Sequence, residues 1–280
     1  MKHYLAYKNQ IRGLADVHET VKTVEKIAAS SVHYLDQEVD HLMRYEQIVD
    51  RILKRLSHFH NEYHNPLFKN NSRGKKAALL ITGDRGLTGG LWRGVFDLYE
   101  TVKDQYGAVI IIGAKAKGYM REIGYHVTKE FPGISDENMD ETFRDVATYC
   151  YAAFRENDFS SIDVIYPHYE SLGVQHSLLT PFLPFVFTGE EGDTKDGFPL
   201  IEPSRTIVFN RLLQKYISIY FKKIITDAIL SEHAARTVAM EDASTKTKSL
   251  IAEISLHYQK ERHRASTQQQ LESFMAHRNI

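Results

Sequence analysis

Hydrophobic positions fall into three regimes along the chain. Through residues 1–62 apolar side chains return every three or four positions: Val17, Val21, Val24, Ile27 and Ala28, then Leu35, Val39, Leu42, Tyr45, Ile48, Val49, Ile52 and Leu56. That spacing places them on one stripe of an α-helix. The stretch contains Gly13 as its one glycine and no proline, so nothing local interrupts the helix. At 1.5 Å per residue a helix of about 55 residues spans about 80 Å, more than the diameter of a domain of this size. Part of it therefore projects beyond a globular body, and its stripe needs a partner.

The pattern changes over residues 65–203. A polar breaker opens the segment, with Asn65-Pro66 and then Asn70-Asn71-Ser72-Arg73-Gly74. Short apolar runs at 77–82, 108–112 and 162–166 alternate with helical stretches at about 91–105, 115–123 and 139–157. Strand alternating with helix predicts a mostly parallel sheet with crossover helices. A later run at 175–180 reads as an added, antiparallel strand. The stretch 188–203, rich in Gly, Asp and Pro, predicts a mobile surface loop.

From Thr206 onward there is no glycine and no proline. The helical stripe returns as Leu212, Leu213, Tyr216, Ile217, Tyr220, Ile224, Ile225, Ala228 and Ile229. It continues, more polar, through Ala235, Val238, Ala239, Ala243, Leu250, Ile251, Ile254 and Tyr258. Such a helix reaches roughly 100 Å. Two over-long helices at the ends of one chain bury each other's stripes by pairing antiparallel. The expected fold is therefore α/β with long helices. An antiparallel coiled coil of the N- and C-terminal helices (1–62 and 206–280) carries an inserted, Rossmann-like α/β domain (65–203). From Glu241 the apolar positions thin out, and a helix that polar needs enclosure by another protein.

Composition narrows the classes. Apolar residues are 42% and charged residues 25% of the 280, and the net charge is −1. Near-neutrality gives no support for nucleic-acid binding. The longest apolar runs have strand length, so no membrane-spanning helix is expected, and the first residues carry no secretory apolar core. The single cysteine, Cys150, implies a reducing compartment. It sits in an apolar helix, where a small core residue is the expected role and a nucleophile the alternative.

Candidate chemistry is sparse. The turn Gly83-Asp84-Arg85-Gly86-Leu87-Thr88-Gly89-Gly90 follows a strand and precedes a helix, a geometry that presents N–H groups to a phosphate. It matches neither dinucleotide fingerprint nor P-loop spacing. A tight turn that lets the helix pack on the sheet is the competing reading. Among the 14 histidines, His58, His60 and His64 cluster in sequence, but no carboxylate or thiol completes a metal site. No Ser/His/Asp or paired-carboxylate setting is recognisable. The expected cofactor and metal sets are empty, and no active site is expected.

The run Ser231-Glu232-His233-Ala234-Ala235-Arg236-Thr237-Val238-Ala239-Met240-Glu241-Asp242-Ala243 resembles the S-E-x-A-A-R-M-x-A-M-x-x-A segment of F-type ATP synthase gamma subunits, with Thr237 in place of the first Met. Gly83 to Leu91 is similar to that family's S-D-x-G-L-C-G-x-x-N segment, with Gly83 for Ser and Thr88 for Cys. Ile11-Arg12 through Ala28-Ala29-Ser30 resembles the family's N-terminal segment, and Glu202-Pro203-Ser204 also fits. The matches keep the family's order over nearly the whole chain. Departures lie in the shaft region. Val24 and Lys26 stand where the family has Met, His263 stands for Gln, Ser266 for Ile, Gln269 for Glu and Gln270 for Leu, while Thr267 and Glu272 match.

The resemblance implies a central rotary shaft that couples ion flow through a membrane rotor to ATP synthesis or hydrolysis. Its implied partners are the alpha and beta subunits, the epsilon subunit and the membrane c-ring, with no nucleic acid. It implies a peripheral protein at the cytoplasmic face of a bacterial membrane. It implies subunit contacts at Arg236, His263, Thr267, Glu232, Lys26 and Asp84; within the helix, Arg236 can instead pair with Glu232 one turn away. The changes at Lys26, His263 and Gln269 leave a second reading: a gamma-like structural subunit of an ATPase assembly that does not make ATP. A third is a free-standing α/β enzyme with coiled-coil arms.

Overall fold

Apolar runs too short for helices and too uniform for half-exposed strands require a sheet covered on both faces, and the chain builds one. The structure, a computed structural model, describes residues 3–57, 67, 74–135, 138–185 and 201–278. The breaker residues 65, 66 and 70–73, the loop at 188–200 and the histidines at 58, 60 and 64 lie outside the described residues. Helix α1 is His3–Ser57 and helix α5 is Arg205–Arg278. Between them run β1 (Lys75–Ile81), α2 (Leu91–Val102, extended by a 3-10 turn at Lys103–Gln105), β2 (Ala108–Ile112), α3 (Ala114–Glu122), β3 (Lys129–Phe131), α4 (Met139–Arg155), β4 (Phe159–Ser171) and β5 (Val174–Leu183).

The sheet order is β3-β2-β1-β4-β5. Four strands are parallel, and β5 returns antiparallel on β4 as its pattern predicts. β3 has no apolar run to announce it, since Lys129 and Glu130 are exposed. Alternation along the strands divides two cores. Ala77, Leu79, Ile81, Ile110, Ile112 and Val164 pack with α4 and α5. Ala78, Leu80, Val109, Ile111 and Ile165 pack with Trp92, Val95 and Tyr99 of α2 and Ala116 and Met120 of α3.

The chain divides into two compact parts, residues 30–235 and residues 1–29 with 236–280. In the first, one stretch of α5 is buried on every side: residues 224–232 are buried without exception. Phe221 is fully buried, with ring centroids 4.7 Å from Phe182 of β5 and 5.7 Å from Phe143 of α4. Toward α1, Glu46 accepts hydrogen bonds from Tyr216 (3.3 Å) and Lys223 (2.5 Å), polar contacts that fix register where the flanking contacts are apolar.

The helix stripes are narrower than a simple apolar count suggests. In this part the sheltered positions of α1 include Val32, Leu35, Val39, Leu42, Glu46, Val49, Leu53 and Leu56, which alternate three and four, with Ser31, Glu38, Asp50 and Lys54 half-buried beside them. Tyr45, Ile48 and Ile52 lie beside that seam, with Ile48 55% exposed. In the other part the same repeat continues through Tyr4, Tyr7, Ile11, Leu14, His18, Val21, Glu25 and Ala28, while Val17 and Ile27 face outward. The sheltered positions of α5 there include Thr237, Met240, Ser244, Thr247, Ile251, Ile254 and Tyr258. Tyr4 meets Tyr258 (6.3 Å) and Tyr7 stacks on His257 (6.2 Å), which sets the antiparallel pairing. The polar character expected past Glu241 thus reaches the seam itself. Among the described residues no helix is long and apolar enough to cross a membrane.

Candidate functional site

In open α/β sheets, ligands enter at the carboxyl ends of the strands, where the strand order reverses. Here that point lies between β1 and β4, since β2 and β3 follow β1 to one side and β4 flanks the other. Both walls of the crevice are occupied by the chain itself.

On the β1 side, Thr82-Gly83-Asp84 is sewn to the start of α3. The Thr82 N–H and hydroxyl both donate to the Ile112 carbonyl (3.0 and 2.8 Å). The Thr82 hydroxyl accepts from Ala116 N–H (3.0 Å), the Gly83 carbonyl from Lys115 N–H (3.2 Å) and an Asp84 carboxylate oxygen from Ala114 N–H (2.7 Å). Three N–H groups of the first turn of α3, the usual donors to an anion, are thereby taken. Residues 82–84, where the turn begins, are therefore packed closely against α3. Leu87 there has φ +65° and is exposed.

On the β4 side, the strand runs past its last β1 partner, Ile165, and its outer residues meet α5. Ser231 donates its hydroxyl hydrogen to the Pro167 carbonyl (3.0 Å). The Asp227 carboxylate accepts from Tyr169 N–H (2.9 Å) and bonds His168 Nδ1 (2.6 Å). The carboxylate of Glu232 lies against Gly83, where a Cβ would fall 2.8 Å from Glu232 Cδ. Position 83 can thus hold no side chain without displacing Glu232.

Burial raises the Asp227 carboxyl above the usual range, opposed by the bonds from His168 and Tyr169 N–H and by nearby Lys223. A group whose folded-state pKa is raised contributes its full stability below the unfolded value, near 4 for Asp, and loses it as pH rises through the folded value. Asp227→Asn removes that loss. The stability of the variant relative to the wild type should therefore rise between pH 4 and pH 7 in urea unfolding, whereas an equal difference at both pH values would contradict the burial account.

The six residues singled out from sequence are distributed as follows. Asp84 and Glu232 come together around Gly83. Lys26 is exposed on α1, Arg236 is half-buried on α5, and His263 and Thr267 are exposed one turn apart on α5. Sequence reasoning missed Asp227, Ser231 and His168. Asp227 did leave a signal, a carboxylate inside the apolar run from Ile224 to Leu230. Cys150 is a core residue: it is fully buried, and burial pushes its thiol up to about 12. Among the described residues no group of His, Cys, Asp and Glu is placed to hold a metal ion.

A family model described as ATP synthase matches residues 4–272. The ATP synthase gamma chain of Thiobacillus denitrificans is 28% identical over 273 residues, covering 94% of both chains. That of Xylella fastidiosa is 26% identical over 269 residues, again 94% of each. Among solved structures, the rotor of the Euglena gracilis mitochondrial ATP synthase superposes with a TM-score of 0.63 at 17% identity, covering 94% of this chain and 98% of that one. The central stalk and c-ring structure of the Tetrahymena thermophila enzyme gives 0.57 at 18% identity, covering 80% and 99%. These two likenesses are of fold.

Proposed function

This chain belongs to the ATP synthase family, as a gamma chain, and on that premise we propose that it is the central shaft coupling rotation of a membrane ring to nucleotide chemistry in surrounding alpha and beta subunits. The observation that carries the reading is α5 itself. One continuous helix is both the buried core of the α/β part and, further along, a member of the coiled-coil pair. Its side chains fill the crevice in which such a sheet would take a ligand, which suits a mechanical part better than a binding domain.

On this reading three alpha and three beta subunits enclose the coiled coil of residues 1–29 and 236–280. The α/β part rests on the c-ring with the epsilon subunit alongside. Ion flow turns ring and shaft together, so the protein works as a peripheral component at the cytoplasmic face of a bacterial membrane. Because the shaft is asymmetric, each beta subunit meets a different face, and a shaft shifts a conformational equilibrium only by contacting its states differently. Arg236 offers a planar fork for a carboxylate or backbone carbonyls. Lys26, His263 and Thr267 offer exposed polar contacts to the ring, and exposed Asp84 marks the turn after β1 as a further contact, with buried Glu232 packed behind Gly83. On this reading catalysis belongs to the assembled complex, to which this chain contributes the shaft.

Lys26, exposed on α1 where the family has Met, favours a second reading, a gamma-like structural subunit in an assembly that does not make ATP. Co-expression with the alpha and beta subunits of the same genome tests both. The rotary reading predicts a stable complex whose ATPase depends on this chain and falls about fivefold in Arg236→Ala plus Thr267→Ala, as for loss of well-placed interface contacts. A chain that elutes alone would remove the assigned function. A complex that hydrolyses ATP but never makes it against an ion gradient would select the second reading.

A further inference from the structure

A domain can turn a helix only through contacts that do not slip. Apolar burial is non-directional and resists sliding weakly. Hydrogen bonds hold a narrow range of distance and angle, and those to an ionised group are the strongest. Resting on the shaft reading, we propose that Asp227 and Ser231, seated on residues 167–169 of β4, form the torque clamp between the α/β sheet and α5.

Residues 227 and 231 are four apart and share one face of the helix. Both are buried, Ser231 fully and Asp227 to 6% exposure. Together they make three bonds to three consecutive residues of one strand: Pro167, His168 and Tyr169. That strand segment is braced from its other edge, where Pro167, His168 and Tyr169 pair with Ser177, His176 and Gln175 of β5. The clamp therefore joins two stiff elements, a ladder and a helix buried on every side. Lys222 also joins α5 to α4, through Asp140 at 3.5 Å, but Asp140 is largely in solvent. A pair of that kind contributes little.

The test uses the complete complex in sealed vesicles, with ATP-driven uptake of protons or sodium measured beside ATP hydrolysis by the detergent-solubilised complex. In Asp227→Ala plus Ser231→Ala, unloaded hydrolysis should stay within about twofold of wild type while ions moved per ATP fall roughly threefold or more. Asp227→Asn, which keeps an acceptor for Tyr169 N–H and a partner for His168, should restore the ratio. His168→Ala, which alters a partly exposed side chain without emptying the core, should give a smaller fall in the same direction. Val49→Ala, a buried truncation in α1 away from the clamp, controls for general softening. An unchanged ratio in the double variant, or an equal fall in the Val49→Ala control, would overturn the clamp while a coupled wild-type complex leaves the shaft reading standing. A wild-type chain that fails to enter the complex would defeat the shaft reading and the clamp with it.

Discussion

Phe221→Ala should lower the unfolding free energy of the chain by about 3–5 kcal/mol, the range for emptying a fully buried aromatic site. The upper end is expected because the site cannot collapse. Phe221 is held between Phe182 on β5 and Phe143 on α4, and the helix that carries it is covered on every side a turn further along. The chain's single tryptophan, Trp92, is buried in the core on the opposite face of the sheet and reports unfolding without touching the cavity. Urea unfolding followed by its fluorescence is the measurement. Phe274→Ala, at an exposed position of α5, serves as the control and should change stability by less than about 0.5 kcal/mol. A Phe221→Ala loss below about 1 kcal/mol would mean that the aromatic cluster repacks.

Gly113→Ala should cost a comparable amount, about 3–5 kcal/mol, from two sources that add: backbone strain and overpacking. Gly113 has φ +94°, which L side chains rarely adopt, and its Cβ would fall 2.7 Å from the Thr82 carbonyl carbon and 2.9 Å from the Gly83 oxygen. Those atoms are backbone and belong to the stitching that starts α3, so neither can yield without breaking bonds described above. Five residues on, Gly118→Ala meets nothing within 4 Å inside α3 and should stabilise by about 0.5–1 kcal/mol. Opposite signs for the two substitutions in the same unfolding assay would verify the local geometry. Equal signs would show that the turn relaxes.

Much of this architecture was legible because its periods are clean. The run 108–112 matched β2 to the residue and 77–82 matched β1 to within two, and the absence of glycine and proline after Thr206 gave α5. The coiled-coil seam was blurred for a definite reason. Its three-four repeat passes through His18, Glu25 and Glu46, which an apolar count skips, while Val17, Ile27, Ile48 and Ile52 beside it are apolar yet exposed. The contact of Asp227 with residues 168 and 169 could not be read at all. It joins residues almost 60 positions apart, and no spacing rule on either element points to the other. Asp84 and Glu232 were named as outward contacts, and the bond that Asp84 accepts from Ala114 and the packing of Glu232 against Gly83 emerge only from the fold of the turn at 82–84.

The seven-residue repeat has a mechanical side. Straight helices return every 3.6 residues, so a repeat of 3.5 is kept in register only by winding the pair around each other, left-handed. Two strands wound in one sense behave like laid rope: twist applied with the lay draws them together, and twist against it eases them apart. The stiffness of the α1–α5 pair therefore depends on the sense in which it is twisted. Where the rope is held by Thr237, Ser244 and Thr247 instead of leucines, it has the least to lose by easing open.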